Sequence, residues 1–360
     1  MRDEAEHKGD SEAVGLGARR CRDAEGVTPL VVIDADVLGR QRTGDETYVE
    51  NLLSRLPALG GDLRFAAITR HPELVPEGIE AVELPARSQE VRMAWSVPRL
   101  LRSLRPALSH FQHALPPRAG AAVLTVHDLS FERESTSMGR VDRAIFKLVV
   151  PRSVRRARHV IAVSERTKRD LIQLYGTPPE KITVTPHGVD PAFGPGEPGP
   201  RDYLLYVGAI QARKDPLAAA DAAAQVGLAL VAVGPEREPA LARELEARGV
   251  DLRGHVEKTE LAELYRGAAA LVLPSRFEGF GLPVLEAMAS GTPVVASDDP
   301  ALREVAGKAA VFAGDDLAGA IRAALADRDR LAAAGLERAK AFSWAETARL
   351  TVEVYRKAIG

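Results

Sequence analysis

Short apolar runs alternate with longer amphipathic ones from Val31 onward. In the first half the runs are "VVIDA" (31–35), "RFAAIT" (64–69), "LSHF" (108–111), "AAVLTV" (121–126), "HVIAVS" (159–164) and "ITVTP" (182–186). In the second they are "YLLYVGA" (203–209), "LALVAVG" (228–234), "DLRGHV" (251–256), "ALVLPS" (270–275), "PVVAS" (293–297) and "AAVFA" (309–313). Most are continuous in apolar character, as strands are when helices cover both faces of a parallel sheet. The intervening segments read as helices opened by capping residues, Ser164 before "ERTKRDLIQLY" and Thr259 before "ELAELY".

The alternation breaks at "HGVDPAFGPGEPGPRD" (187–202), with four prolines and four glycines. That composition continues neither a helix nor a central strand. The pattern therefore predicts an α/β protein of two doubly wound, Rossmann-like domains facing each other across a cleft. The first spans 29–190 and the second 203–343, joined by a linker at 191–202. A last helix, 344–360, follows; the pattern does not show where it packs. Residues 1–28 are charged and aperiodic, and read as a disordered extension.

The length of 360 residues agrees with two domains at about 150 residues each. Apolar residues make up 46% and charged residues 27%, as in ordinary globular chains. The net charge of −2 offers no case for nucleic acid as a partner. A lone cysteine, Cys21, excludes an internal disulfide and a cysteine metal cluster, and fits a reducing compartment. No apolar run reaches the roughly 18 residues that a membrane helix needs, and the N-terminus has no apolar core for a secretion signal. The expected location is cytoplasmic.

Ligands of doubly wound sheets bind at the carboxyl ends of strands, so the loops there carry the candidate chemistry. After "ALVLPS" comes "RFEGFGL" (276–282), then a helix with Pro283 at its first position and Gly291 at its end. Glu278 stands at the loop mouth and Glu286 in the first helical turn. Free N–H groups of Gly279, Phe280, Gly281 and Leu282 make an anion site, and the two carboxylates would accept hydroxyls on either side of it. A ligand with a central diphosphate and hydroxyls at both ends is a nucleotide sugar. Taken singly, a first-turn glutamate is also explained by the helix dipole and the glycines by a tight turn. The combination after a buried strand is what points to a ligand.

Three further stretches fit. In "YVGAIQARKDP" (206–216), Gly208 ends a strand and Arg213 and Lys214 follow, either as cations for a leaving diphosphate or as solvated loop residues. In "RQRTGDETYVENLLSRL" (40–56), Thr43 and Glu46 form a capping box around Gly44, which either caps a helix or also approaches a phosphate. In "TVHDLSF" (125–131), His127 follows a buried strand beside Asp128.

Together "FEGFGLPVLEAMASGTPVV", "VIAVSERTKRDLIQLYGTPPEKITVTPHGVDPAF", "VHDLSF" and "LYVGAIQARKD" resemble the retaining glycosyltransferases of family four, over roughly residues 31 to 355. The resemblance implies the GT-B fold, with the acceptor on the first domain and the nucleotide sugar mainly on the second. It implies that Glu278 contacts the transferred sugar, Glu286 binds the ribose, and Phe280, Gly281 and Leu282 hold sugar and phosphate through their backbone. By the same carry-over Lys214 and Arg213 bind the diphosphate, Val256 lies against the base, His127 sits near the reacting carbon and Gly44 approaches the phosphate. No metal or other cofactor is implied; the donor would be a GDP- or UDP-sugar, with mannose the commonest hexose in the family. The chain departs from the family in three places: Ala209 where many members have arginine, "TGDE" at the first helix with Asp45 and Glu46 near a phosphate site, and "GKAA" (307–310) for a "GDA" block.

Two stretches, 91–118 and 140–158, are strongly basic. They read either as helices with solvated basic faces and buried Leu, Trp and Val, or as a surface for anionic lipid at the inner face of a membrane. The readings to be separated are a hexosyltransferase acting on a glycan, glycolipid or small sugar, an epimerase or phosphorylase of the same fold, and a non-catalytic nucleotide-sugar binder.

Overall fold

A computed structural model describes residues 28–40, 44–85, 88–134, 138–197 and 199–360. Seven strands form one sheet: β1 (Leu30–Asp34), β2 (Arg64–Thr69), β3 (Glu80–Glu83), β4 (Leu108–Gln112), β5 (Ala122–Val126), β6 (His159–Ala162) and β7 (Ile182–Val184), in the order β3-β2-β1-β4-β5-β6-β7. Six form a second: β8 (Tyr203–Val207), β9 (Ala229–Val233), β10 (Asp251–Gly254), β11 (Ala270–Leu273), β12 (Val294–Ser297) and β13 (Ala310–Ala313), in the order β10-β9-β8-β11-β12-β13. Every pairing in the described ladders is parallel. The inner strands are buried throughout, as their continuous apolar runs require.

In each sheet the strand order reverses once, between β1 and β4 and between β8 and β11. Crevices of such sheets open at that point. The chain thus places Gly44 and Gln112–His113 after the first pair, and Gly208–Lys214 and Ser275–Leu282 after the second.

The structure departs from the sequence reading in several ways. Strand β3 is a seventh strand in the first half; "EAVE" is short, charged and half in solvent because it edges the sheet. The Thr259 cap is displaced: the helix starts at Lys258 with Glu257 outside it. Ser164 does cap its helix, accepting from Thr167 N. Cys21, Thr43 of the capping box, and residues 1–27 of the N-terminal extension lie outside the described residues.

The C-terminal helix (Trp344–Ile359) returns to the first half. Trp344, Val352, Val354, Tyr355 and Ala358 share a buried cluster with Val31, Ile33, Tyr48 and Leu52. Tyr355 Oη lies 2.7 Å from His110 Nδ1 and Thr347 Oγ1 donates to Pro186 O at 2.6 Å. The crossing is tight: a Cβ on Gly188 would stand 2.0 Å from Trp344 N. From the linker, Phe193 packs into the core of the second half.

The basic stretches also correct an expectation. Trp95 is 67% exposed, and Val141, Ile145 and Leu148 project at 72%, 51% and 54%. Those three recur at i, i+4 and i+7 of the helix Arg140–Arg156, one stripe along its surface. Val97, Leu101, Val150 and Val154 carry the inward faces.

Candidate active site

The signature loop runs from Ser275 to Gly281, and the helix Leu282–Ala289 begins behind Gly281, whose φ of 106° suits glycine. Pro283 is the second helical residue, where its missing N–H costs nothing. Glu286 falls in the second turn, one turn deeper than the sequence suggested, so the helix dipole does not account for it.

The loop is held by the first half of the chain. Ser164 Oγ donates to Gly279 O at 2.6 Å. Arg166 stacks on the Phe277 ring at 4.2 Å and its Nη1 donates to Asp299 at 3.1 Å. A Cβ on Gly279 would lie 2.0 Å from His127 O and 2.8 Å from Asp128 Cβ. Glycine is therefore required at 279 by space and not by backbone angle. Similarly, Leu282 Cδ1 lies 3.2 Å from where a Cβ of Gly44 would be. The backbone of Gly279 and the side chain of Leu282 therefore meet His127 and Gly44 across the gap between the two sheets.

At this junction Lys214 Nζ donates to Glu278 Oε1 at 2.5 Å; the glutamate is buried and the lysine half-buried. The Lys214 stem passes Gly208, whose absent Cβ would lie 3.7 Å from Lys214 Cδ. Arg213, which a loop reading left open to solvent, is buried and donates to Phe277 O. Its charge also reaches Asp128: burial pushes that carboxyl up, but Arg213, with His113 and the Ser130 bonds, holds it below its ordinary value. Arg213 thus braces the loop, while Lys214 keeps its ammonium at the signature carboxylate.

His127 is buried, edge-on to Tyr48 with ring centroids at 5.0 Å. Burial lowers its pKa to about 4, so it is a neutral ring at neutral pH. Its Nε2 lies 3.1 Å from Gln112 Oε1. Phe280 packs on His187 at 4.9 Å, and His187 on His127 at 5.6 Å, a continuous aromatic wall.

Glu286 forms a second, separate constellation. Tyr265 Oη donates to its Oε2 at 2.8 Å, and Lys258 Nζ donates to Asp190 at 2.6 Å nearby. Burial, with help from Asp190, raises the Glu286 pKa to about 7 against the pull of Tyr265 and Lys258. Val256 is half-buried against the core of the second half and makes no polar contact recorded among the described residues.

The structure thus brings together His127, Glu278, Lys214, Arg213, Gly44, Gly208 and residues 279–282. Sequence reasoning missed His187, Gln112, His113, Asp190, Lys258 and Tyr265. Gln112 ends β4 and His113 follows it, as His127 follows β5, so the rule that found His127 would have found His113 with Gln112 beside it.

A groove of about 530 Å³ between the halves, lined by Arg133, Arg166, Arg169, Arg276, Asp170 and Asp299 among others, does not include Lys214, Glu278 or His127 and adjoins their loop through Arg166, which stacks on Phe277.

Comparisons with known proteins bear on the family and the fold. The family described as "Glycosyltransferase Family 4" matches residues 42–193, and that described as "Glycosyl transferases group 1" matches 192–341. D-inositol 3-phosphate glycosyltransferase 1 of Catenulispora acidiphila is 30% identical over 89% of this chain and 92% of that protein. O-antigen chain mannosyltransferase B of Escherichia coli is 29% identical over 74% and 77%. With the Kineococcus radiotolerans D-inositol 3-phosphate glycosyltransferase the identity is 34%, but the match spans 57% of this chain and only 58% of the relative. Among solved structures, sucrose-phosphate synthase of Thermosynechococcus elongatus superposes with a TM-score of 0.76 at 22% identity, covering 91% of this chain and 98% of that one. Anabaena HepE in complex with UDP-glucose gives 0.73 at 16%, covering 91% and 100%. Two matched families that tile the chain, a relative matched along nearly its whole length and the two-sheet architecture converge: this protein belongs to the family 4 glycosyltransferases and has the GT-B fold.

Proposed function

We propose that the protein is a retaining hexosyltransferase that takes its sugar from a nucleoside diphosphate and passes it to a glycan, glycolipid or small sugar. The observation that carries this is the Lys214–Glu278 pair at the β8/β11 crevice, with the 279–282 segment beside it and His127 against the backbone of Gly279. A diphosphate arriving there draws Lys214 from Glu278. The freed carboxylate then accepts hydroxyls of the transferred sugar. As the bond from the anomeric carbon to the diphosphate breaks, its electron pair leaves with the diphosphate. Lys214 and the loop N–H groups stabilise that growing charge. The acceptor oxygen bonds to the same face, and its proton passes to a departing phosphate oxygen. Gly44 lies against Leu282, beside the phosphate position. Val256 faces the base. The E. coli relative named a mannosyltransferase supports a hexose; a GDP-sugar is the first donor to try and a UDP-sugar the second.

The donor arm is tested by thermal shift against GDP, UDP, ADP and their sugars. A ligand at 100 times its dissociation constant adds about 2.7 kcal/mol to stability. No shift with any of them removes the donor reading, and turnover of donor without acceptor into an epimer replaces transfer with epimerisation. The same titration has an expected pH dependence. Glu286 must be a carboxylate to accept two ribose hydroxyls, so below its pKa of about 7 donor affinity should fall, approaching tenfold per pH unit. Glu286→Gln should flatten the profile. Stability runs the other way. Because the folded pKa is raised from 4.5, the contribution of this group to stability is fully present below pH 4.5 and is lost as pH rises through about 7.

Peripheral contact with anionic lipid belongs to the same proposal. It is supported by the exposed Val141–Ile145–Leu148 stripe on a helix that also carries Arg140, Lys147, Arg152 and Arg155. Among the described residues no helix is long and apolar enough to cross a membrane. Co-sedimentation with phosphatidylglycerol vesicles should be lost in Ile145→Glu/Leu148→Glu and should weaken with salt. Equal sedimentation of variant and wild type sinks this part.

A further inference from the structure

Three side chains from three elements of the first half converge beside the signature loop. Asp45 lies in the first turn of the helix Gly44–Leu53, His113 follows β4, and His127 follows β5. His127 Nδ1 lies 3.8 Å from Asp45 Oδ1, and His113 Nε2 lies 3.9 Å from Asp45 Oδ2. All three ligand atoms fall within 4.8 Å of one another.

The tautomer of His127 sharpens the geometry. In the Nε2–H tautomer His127 donates to Gln112 Oε1 at 3.1 Å and leaves the Nδ1 lone pair for a ligand. In that tautomer Nδ1 and the Asp45 carboxylate are both acceptors, 3.8 Å apart, and a cation between them would bond to both. The Gln112 contact is also the outer-shell bond that metal-binding imidazoles usually make.

His113 is held there at a cost. Its φ of 57° is one of four positive values among the described non-glycine residues. Ala114 N donates to Gln112 O at 2.6 Å, closing a tight three-residue turn around it, while its own N–H is tied to Thr125 O at 2.8 Å. Strain of this kind persists where the surroundings enforce it and clusters at functional sites. Here its effect is to turn the imidazole toward Asp45 and His127, whose ring lies 5.2 Å from it.

We propose that Asp45, His113 and His127 bind a divalent transition-metal ion, zinc by their donor set, and that the bound ion blocks sugar transfer. Two imidazoles and one carboxylate are a three-ligand zinc set that leaves a fourth position for water. Tetrahedral zinc, with bonds of about 2.1 Å, needs ligand atoms about 3.4 Å apart, so the two gaps to Asp45 must each close by about half an ångström and the widest separation, up to 4.8 Å, by up to about 1.4 Å. Asp45, at 38% exposed, is the side from which the ion enters. The ion would be an inhibitor, outside the transfer chemistry. The inhibition rests on the proposed position of His127 beside the reacting carbon; the metal site does not.

Cobalt(II), a coloured stand-in for zinc, tests the site on the whole protein without any substrate. Titration should give the visible band of a four-coordinate ion, and zinc should displace it. His113→Ala and, separately, Asp45→Asn should abolish the band, and Gln112→Leu should weaken cobalt affinity roughly 10- to 100-fold. Thermal melting identifies any variant that fails to fold. In a transfer assay, zinc should inhibit the wild type at least tenfold more strongly than His113→Ala. A band that survives both ligand variants, or equal zinc inhibition of wild type and Asp45→Asn, overturns the proposal. A band without any measurable transfer keeps the site and removes the glycosyltransferase reading of the pocket.

Discussion

Gly279→Ala is expected to lower turnover roughly 100-fold while the protein still folds and still binds nucleotide. The added Cβ would stand 2.0 Å from His127 O and 3.0 Å from His127 C. Both are backbone atoms at the end of the buried strand β5, so they cannot yield as a flexible side chain would. The loop must retreat by more than an ångström, and the 2.6 Å bond from Ser164 to Gly279 O goes with it. Glu278 and Lys214 are then carried away from His127 on the opposite wall. A misplacement of about 1 Å between reacting groups costs on the order of 100-fold. Nucleotide affinity should change less, because Glu286 and Tyr265 sit in the second half, beyond the displaced segment. The check is kcat beside the dissociation constant for the nucleoside diphosphate. Unchanged kcat would mean that catalysis does not use the close approach of the two halves seen here.

The carboxyl-edge loops were legible because they follow strands that are themselves legible. Continuous apolar runs such as "AAVLTV" admit no other reading once glycines and acids bracket them. That placed Glu278, Lys214, His127 and Gly44 on cleft-facing loops. What brings them together depends on distance in the chain. Lys214 and Glu278 pair across 64 residues, and nothing local in "QARKD" announces that its lysine would be half-buried. Strand β3 was invisible because an edge strand needs few apolar residues, and "EAVE" has two alanine-sized or larger ones flanked by acids. Trp95 was expected inside on hydrophobicity alone, yet it stands out in solvent; hydrophobicity says what a residue tolerates and not which surface its helix presents. Glu286 shows a subtler limit. The helix begins at Leu282, and the resulting offset takes the carboxylate from the first turn to the second. Burial beside Tyr265 and Asp190 then gives it a titration that no spacing could foretell.

The C-terminal helix yields the largest effect on stability. Trp344→Ala is expected to cost about 3–5 kcal/mol, the usual range for truncating a large buried aromatic. Trp344 is 2% exposed, and its Nε1 has no partner among the described residues, so the loss is one of packing and not of a hydrogen bond. Stabilities of folded domains are about 5–15 kcal/mol in total, which makes this a large fraction. The loss should be local. The tryptophan belongs to the cluster that holds Val31, Ile33, Val123 and Ile161, on β1, β5 and β6, although it lies in sequence after the whole second half. Amide exchange should therefore accelerate in β1, β5 and β6 and change little in β9 and β10, which pack on other clusters. Equal acceleration in both sheets, or a change confined to the second, would contradict this placement. The site should feel the substitution as well. His187 lies between Trp344 at 5.3 Å and Phe280 at 4.9 Å, so removing the indole loosens the ring that backs the signature loop. The helix thus couples the fold of the first half to the loop of the second, and that coupling gives a chain of two sheets a reason to return at its end to the one it built first.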